Sequence, residues 1–150
     1  MVRMGQRVAY TLDSTLDSVN KAEETADSLA QKAGFAEDDR HKISMSVREA
    51  AVNAVLHGNS YDPGKKITVE YEMTKEKMSI VITDQGVGLN EKALPDPLAE
   101  DNLLKSSGRG IFLIRSFMDE VHIRDLHPGT EITLIKHVSA PDGETQGEMK

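Results

Sequence analysis

The stretch REAAVNAVLHGN, residues 48–59, holds side chains that can do chemistry at a fixed spacing. Glu49, Asn53 and His57 recur every fourth residue, so about 40° separates successive members on a helix. A carboxylate, an amide and an imidazole then share one ridge, followed by Gly58. The apolar stripe of the same helix, Ile43, Val47, Ala50 and Ala54, lies roughly opposite Glu49 and Asn53. A solvated polar face would carry the same ridge. Met45 and Val52 flank it, however, and a Glu/Asn ridge between apolar residues reads as the floor of a pocket.

Two glycine-rich stretches can complete such a pocket. VITDQGVGL puts Asp84 at the end of an apolar strand, with Gly86 and Gly88 just beyond it. The carboxylate can accept a hydrogen bond from a ligand amine, and the glycines let backbone approach a ligand closely, although a plain turn uses the same residues. SSGRGIFLI puts Gly108 and Gly110 directly before a helix, where free N–H groups and the helix dipole favour an anion. A hinge and cap would use these glycines equally well. The stretch is not a Walker A loop, because Gly-Lys-Ser/Thr is absent, and it does not follow a first strand as a dinucleotide fingerprint would. Taken in order along the chain, the three stretches form a distinctive set.

The elements that must position them follow from pattern. RVAYTLDS reads as a strand ending at Asp13-Ser14, a helix N-cap pair. Leu16, Val19, Ala26, Leu29 and Ala33 trace a helical stripe closed by Gly34. A second helix starts near Glu37-Asp38 and runs to His57. After the turn chemistry of SYDPGKK, the strands ITVEYEM and MSIVITD form a hairpin across TKEK. Residues 90–107 contain Pro95 and Pro97 and no sustained periodicity, the mark of a lid or binding loop. GRGIFLIRSFMDEV turns helical, and VHIRDLHPGTEITLIKHV gives two strands around His127-Pro128-Gly129. The expected class is α+β: a two-layer sandwich, with a mixed, mostly antiparallel sheet covered on one face by helices. One domain is expected over residues 1–138, followed by a frayed polar tail over 139–150.

Composition narrows the function. A chain of 150 residues with 38% hydrophobic and 29% charged side chains suits one soluble domain. Its formal charge of -7 argues against nonspecific nucleic-acid binding. The absence of cysteine rules out disulfides and thiolate metal sites, and His122 and His127 have no third ligand in view. No apolar run approaches the roughly 18 residues of a membrane span, and MVRMGQRVAY lacks the apolar core of a signal peptide. The expected location is the cytoplasm.

On these motifs, in this order, the sequence resembles the GHKL nucleotide-binding superfamily of gyrase, heat-shock chaperone, histidine kinase and mismatch-repair ATPase domains. More closely, it resembles the anti-sigma factor serine/threonine kinases of bacteria. REAAVNAVLHGN, DQGVGL, GRGIFLIRSFMDEV and GTEITL carry the resemblance, which extends from the Arg7 strand to the Lys136 strand. It implies ATP and Mg²⁺ as cofactors and a role for each matching residue. Glu49 would be the general base that activates an attacking hydroxyl, and Asn53 the Mg²⁺ ligand. Asp84 would bind the adenine amino group, with Gly86 and Gly88 shaping that wall and Thr130 completing the contact through water. His57, Gly58, Lys105, Ser106, Ser107, Gly108, Arg109, Gly110 and Ile111 would also meet the nucleotide, beneath a lid formed by residues 90–107.

The sequence shows neither the phosphoacceptor helix pair of a complete histidine kinase nor the second domain of a gyrase-like ATPase. The resemblance therefore implies a homodimeric anti-sigma factor that phosphorylates a small antagonist protein on serine or threonine, in a partner switch with a sigma factor. The alternatives are an ATP-responsive binding module without kinase activity and a nucleotide-binding domain detached from a larger sensor kinase. Glu49 favours the enzyme, because a module that only binds ATP could discard a base.

Overall fold

Alternation sets the sheet. Along Lys66–Met73 and Lys77–Thr83 every second side chain is buried, so each strand has one face for a core and one for solvent. The computed structural model describes residues 6–86 and 110–138. Within them β1 (Gln6–Asp13), β2 (Lys66–Met73), β3 (Lys77–Thr83), β4 (Glu120–Asp125) and β5 (Thr130–His137) form one sheet in the order β1-β2-β3-β5-β4. Helices α1 (Leu16–Lys32) and α2 (Glu37–Val52) join β1 to β2, and residues 110–117 form helix α3 ahead of β4. All four ladders are antiparallel among the described residues, which narrows the mixed, mostly antiparallel sheet of the expectation. The tail 139–150 lies outside the described residues.

The core lies between this sheet and α1 and α2. Ile67, Val69, Tyr71, Ile80, Ile82 and Leu134 are fully or almost fully buried on the sheet side. Val19 and Ala26 of α1 meet them together with Ile43, Val47 and Ala50 of α2. The stripe expected on α2 is thus the buried one. On the opposite face the central strands carry Thr68, Ser79, Val81, Thr83 and Thr133, all partly or fully accessible. Helices therefore cover one face.

Helix α1 begins one residue later than the sequence pattern implied. Its N-cap is Thr15, whose side chain accepts from the Ser18 amide at 3.2 Å, while Ser14 is drawn into a buried network instead. The helix ends as expected at Gly34, whose φ of 94° is open to glycine at little steric cost. There Phe35 N donates to Ala30 O and Gly34 N to Gln31 O, each at 3.1 Å, closing a Schellman turn.

Two polar contacts tie the layers together. Lys136 on β5 donates to Phe117 O at 2.9 Å, capping the C-terminal end of α3, and its ammonium stands 3.8 Å from Asp39 in the first turn of α2. Tyr71 on β2 reaches across the core to donate to Ala22 O of α1 at 2.9 Å, and burial pushes its phenol well above the ordinary range. Tyr71→Phe removes this bond while keeping the ring, so urea unfolding is expected to show a loss of about 1 kcal/mol. An unchanged midpoint would mean that the hydroxyl contributes nothing to docking α1.

Candidate functional site

The end of α2 is where the chain departs from a regular helix. From Asn53 to Gly58 it widens into a π turn, closed by Asn59 N donating to Ala54 O at 2.8 Å. The regular ridge expected through His57 is therefore broken after Asn53. The half-buried His57 lies within the wider turn, and Gly58 comes to rest against Asp84. A Cβ on Gly58 would fall 2.3 Å from Asp84 Oδ2, closer than any side chain could be.

Asn59 fixes this junction. Its side-chain amide donates to Ser14 Oγ at 2.8 Å and to Lys66 O at 3.0 Å, while its carbonyl oxygen accepts from Gln85 N at 2.9 Å. Gln85 Oε1 in turn accepts from Lys66 N at 2.6 Å, and Ser14 donates to Lys65 O at 2.6 Å. One buried amide thus joins the β1–α1 turn, the end of α2, the start of β2 and the exit of β3. Its neighbours in sequence carry no signal of this beyond a turn-forming Gly-Asn pair.

Asp84 is 6% exposed, an unusual position for a carboxylate. Its Oδ1 accepts from Gly86 N at 2.9 Å and from Thr130 N at 3.1 Å, and its own amide donates to Thr130 O at 3.0 Å. Burial pushes its carboxyl above the ordinary 3.8; the two amides and the Lys65 charge pull it partly back, and Asp125 adds to the rise. Glycine is required on three sides. Beyond Gly58, a Cβ on Gly86 would strike Gly58 O at 1.7 Å, and one on Gly129, at φ 97°, would strike Asp84 O at 2.4 Å. The approach of Gly129 to Asp84 is a second feature the sequence did not reveal.

At the other end of the ridge, Glu49 and Asn53 are half-buried and meet α3. A Cβ on Gly110 would lie 2.7 Å from Glu49 Oε1 and 3.8 Å from Asn53 Nδ2, so the start of α3 sits directly on both side chains. At 1.5 Å per residue, Glu49 and Gly58 are separated by roughly 13 Å along the helix. The site is therefore elongated, with a buried carboxylate at one end and a half-buried Glu/Asn pair beside a helix start at the other. Ile111 is partly buried and packs against the core. Gly88, Lys105, Ser106, Ser107, Gly108, Arg109 and the proposed lid over 90–107 lie outside the described residues.

A separate cavity of about 760 Å³ lies between α1 and α2, lined by Glu23, Glu24, Asp27, Glu37 and Asp38 among others. Arg40 is already engaged there with Asp27, at 3.2 Å through both Nε and Nη2. Such a wall repels phosphate, and none of the ridge residues borders it.

Residues 12–136 match the histidine kinase-like ATPase domain family. The chain belongs to this family. The superfamily that the motifs resembled is thus the one to which the chain is assigned. A protein named serine-protein kinase RsbW from Halalkalibacterium halodurans is 28% identical over 132 residues, covering 83% of this chain and 79% of its own length. Another of that name, from Listeria innocua, is 24% identical over 145 residues, covering 93% and 92%. A crystal structure of the RsbU and RsbW domains of a Mycobacterium tuberculosis protein shares the fold at a TM-score of 0.63 and 18% identity. The match covers 91% of this chain and 33% of that longer one. No helix among the described residues is long and apolar enough to cross a membrane.

Two outcomes follow for the Asp84 end. Gly58→Ala must displace either the turn or the carboxylate, so binding of a ligand that depends on Asp84 should weaken at least tenfold while the chain remains folded by circular dichroism; unchanged binding would detach Gly58 from the site. The second concerns pH. A protonated Asp84 donates rather than only accepts, so affinity for a ligand amine is full above its raised value and lost as pH falls through it, above 3.8. Stability runs the other way: burial disfavours the ionised form, so Asp84 subtracts stability as pH rises from 3.8 through its folded value. Calorimetric titrations with ATP between pH 4 and 8 should show the acid limb in the wild type and none in Asp84→Asn.

Proposed function

We propose that this chain is an ATP-dependent protein serine/threonine kinase that acts as an anti-sigma factor in the cytoplasm. It would transfer the γ-phosphoryl group to a small antagonist protein and sequester a sigma factor when the antagonist is phosphorylated. The observation that carries this reading is the packing of Gly110 on Glu49 and Asn53, because it puts a carboxylate and an amide together at the start of a helix. The relatives named serine-protein kinase support it, as does the elongated site with a buried amine acceptor at the far end.

The roles follow from the side chains. Asp84 accepts from the adenine amino group and so sets the direction in which the nucleotide lies. Asn53 offers one amide oxygen, which suits Mg²⁺, a cation that takes few protein ligands and completes its shell with phosphate and water. Bound there, Mg²⁺ would supply charge neutralisation on the phosphates. Glu49 takes the proton of the acceptor hydroxyl as its oxygen bonds to the γ-phosphorus and the bond to ADP breaks. Phosphoryl transfer needs mainly position and charge, and the helix holds the Glu49 carboxylate and the Asn53 amide side by side on one rigid rod. The functional unit in this reading is a homodimer, which light scattering would detect as twice the chain mass.

Glu49→Gln keeps size and hydrogen bonding but removes the base, so single-turnover transfer to the antagonist should fall by roughly 10²- to 10⁴-fold. ATP binding should survive, since the lost role belongs to the transition state. Asn53→Ala should weaken Mg-ATP binding itself. Transfer at the wild-type rate in Glu49→Gln would contradict the kinase mechanism. A wild type that binds ATP and partner without any transfer would instead be a non-catalytic module.

A further inference from the structure

At the end of the sheet where β3 stops, three residues stand in one row on the helix-facing side: Asp84, Thr130 and Asp125. The β3–β5 register sets Ile82 opposite Ile132 and Thr83 opposite Glu131, so Asp84 comes opposite Thr130, and its amide donates to Thr130 O. On the other side Thr130 is the direct partner of Asp125 on β4. The row behind is apolar throughout, with Ile82, Ile132 and Ile123. Two carboxylates therefore flank one threonine where the hydrophobic rows end.

Their oxygens are unequally occupied. Asp84 Oδ1 accepts from the amides of Gly86 and Thr130. Asp125 Oδ1 accepts from His127 N at 3.0 Å and lies 3.5 Å from His127 Nδ1. Asp125 Oδ2 is buried and has no hydrogen-bond partner among the described residues. A buried carboxylate oxygen without a donor is costly, and strand register, rather than a local bond, holds it there. The charge of Asp125 also bears unfavourably on Asp84, so the pair is close enough to interact.

We propose that Asp125 is a specificity-determining residue of the nucleotide pocket, its free carboxylate oxygen accepting a hydrogen bond from the purine 6-amino group, directly or through one water. This rests on the nucleotide reading of the site. A 6-amino group carries two N–H donors, one for each carboxylate. A 6-oxo purine turns lone pairs toward both, and two acceptor-only groups repel it. The Thr130 hydroxyl between them can donate or accept and does not choose. Discrimination thus comes from the carboxylate pair, with Asp125 as the second acceptor.

The test titrates wild type, Asp125→Asn and Asp125→Ser with ATP, ADP and inosine triphosphate by calorimetry, with Tm read beside each. Wild type should prefer ATP to inosine triphosphate. Asp125→Asn should lose about tenfold in ATP affinity and gain for inosine triphosphate, since its amide can donate to the 6-oxo group. ATP and ADP should weaken by the same factor, because Asp125 stands at the base end. A purely structural role would weaken all three nucleotides alike and lower Tm, whereas neutralising an unpartnered carboxylate should leave Tm level or raise it. An ATP-to-inosine triphosphate ratio unchanged in both variants overturns the proposal while leaving the nucleotide site standing. A wild type that binds no ATP overturns both.

Discussion

The structure turns on a buried carboxylate. Asp84 is taken from water at the end of β3 and is held there by the amides of Gly86 and Thr130. Removing a charge from water is unfavourable unless donors surround it, and here they come from two different strand ends. That requirement places the neighbours. Gly58, Gly86 and Gly129 converge where any side chain would collide, and the end of α2 widens so that Gly58 can reach the carboxylate. Asn59 then locks the widened turn to β1, β2 and the residue after Asp84.

The same helix carries the second end of the site. Because α2 packs through Ile43, Val47, Ala50 and Ala54, its opposite ridge is held at fixed height above the sheet, and Glu49 and Asn53 face the start of α3. Lys136 holds the far end of α3 to the first turn of α2, so both ends of α3 are referenced to one helix. A ligand lying along α2 would meet an amine acceptor first and an acid and amide last. That polarity matches a nucleoside triphosphate read from base to phosphate.

Much of this was legible from periodicity. The buried stripe of α2, the β2–β3 hairpin, the Gly34 stop and the strands around Pro128 need only local pattern, and each stands where the pattern put it. The ridge of Glu49 and Asn53 was visible because a spacing of four reports a shared helical face. What escaped notice depends on partners far away in sequence. Asn59 bonds to residues 45, 26 and 7 positions distant, and no window around it contains them all. Asp125 carries no local signal, since only the register of β4 on β5 brings it beside Thr130. The π turn was hidden for a related reason: its hydrogen bonds follow from the fit of Gly58 to Asp84, not from helix propensity. Thr15 displaced the expected cap because Ser14 was needed by Asn59.

The most direct test is a crystal structure of the full chain with Mg²⁺ and a non-hydrolysable ATP analogue. The account predicts the exocyclic amine of the base within hydrogen-bonding distance of the Asp84 carboxylate. It further predicts the triphosphate running along α2 toward Glu49 and Asn53, with the γ-phosphate beside the start of α3. A nucleotide bound with its base away from Asp84, or with its phosphates at the Gly58 end, would contradict it.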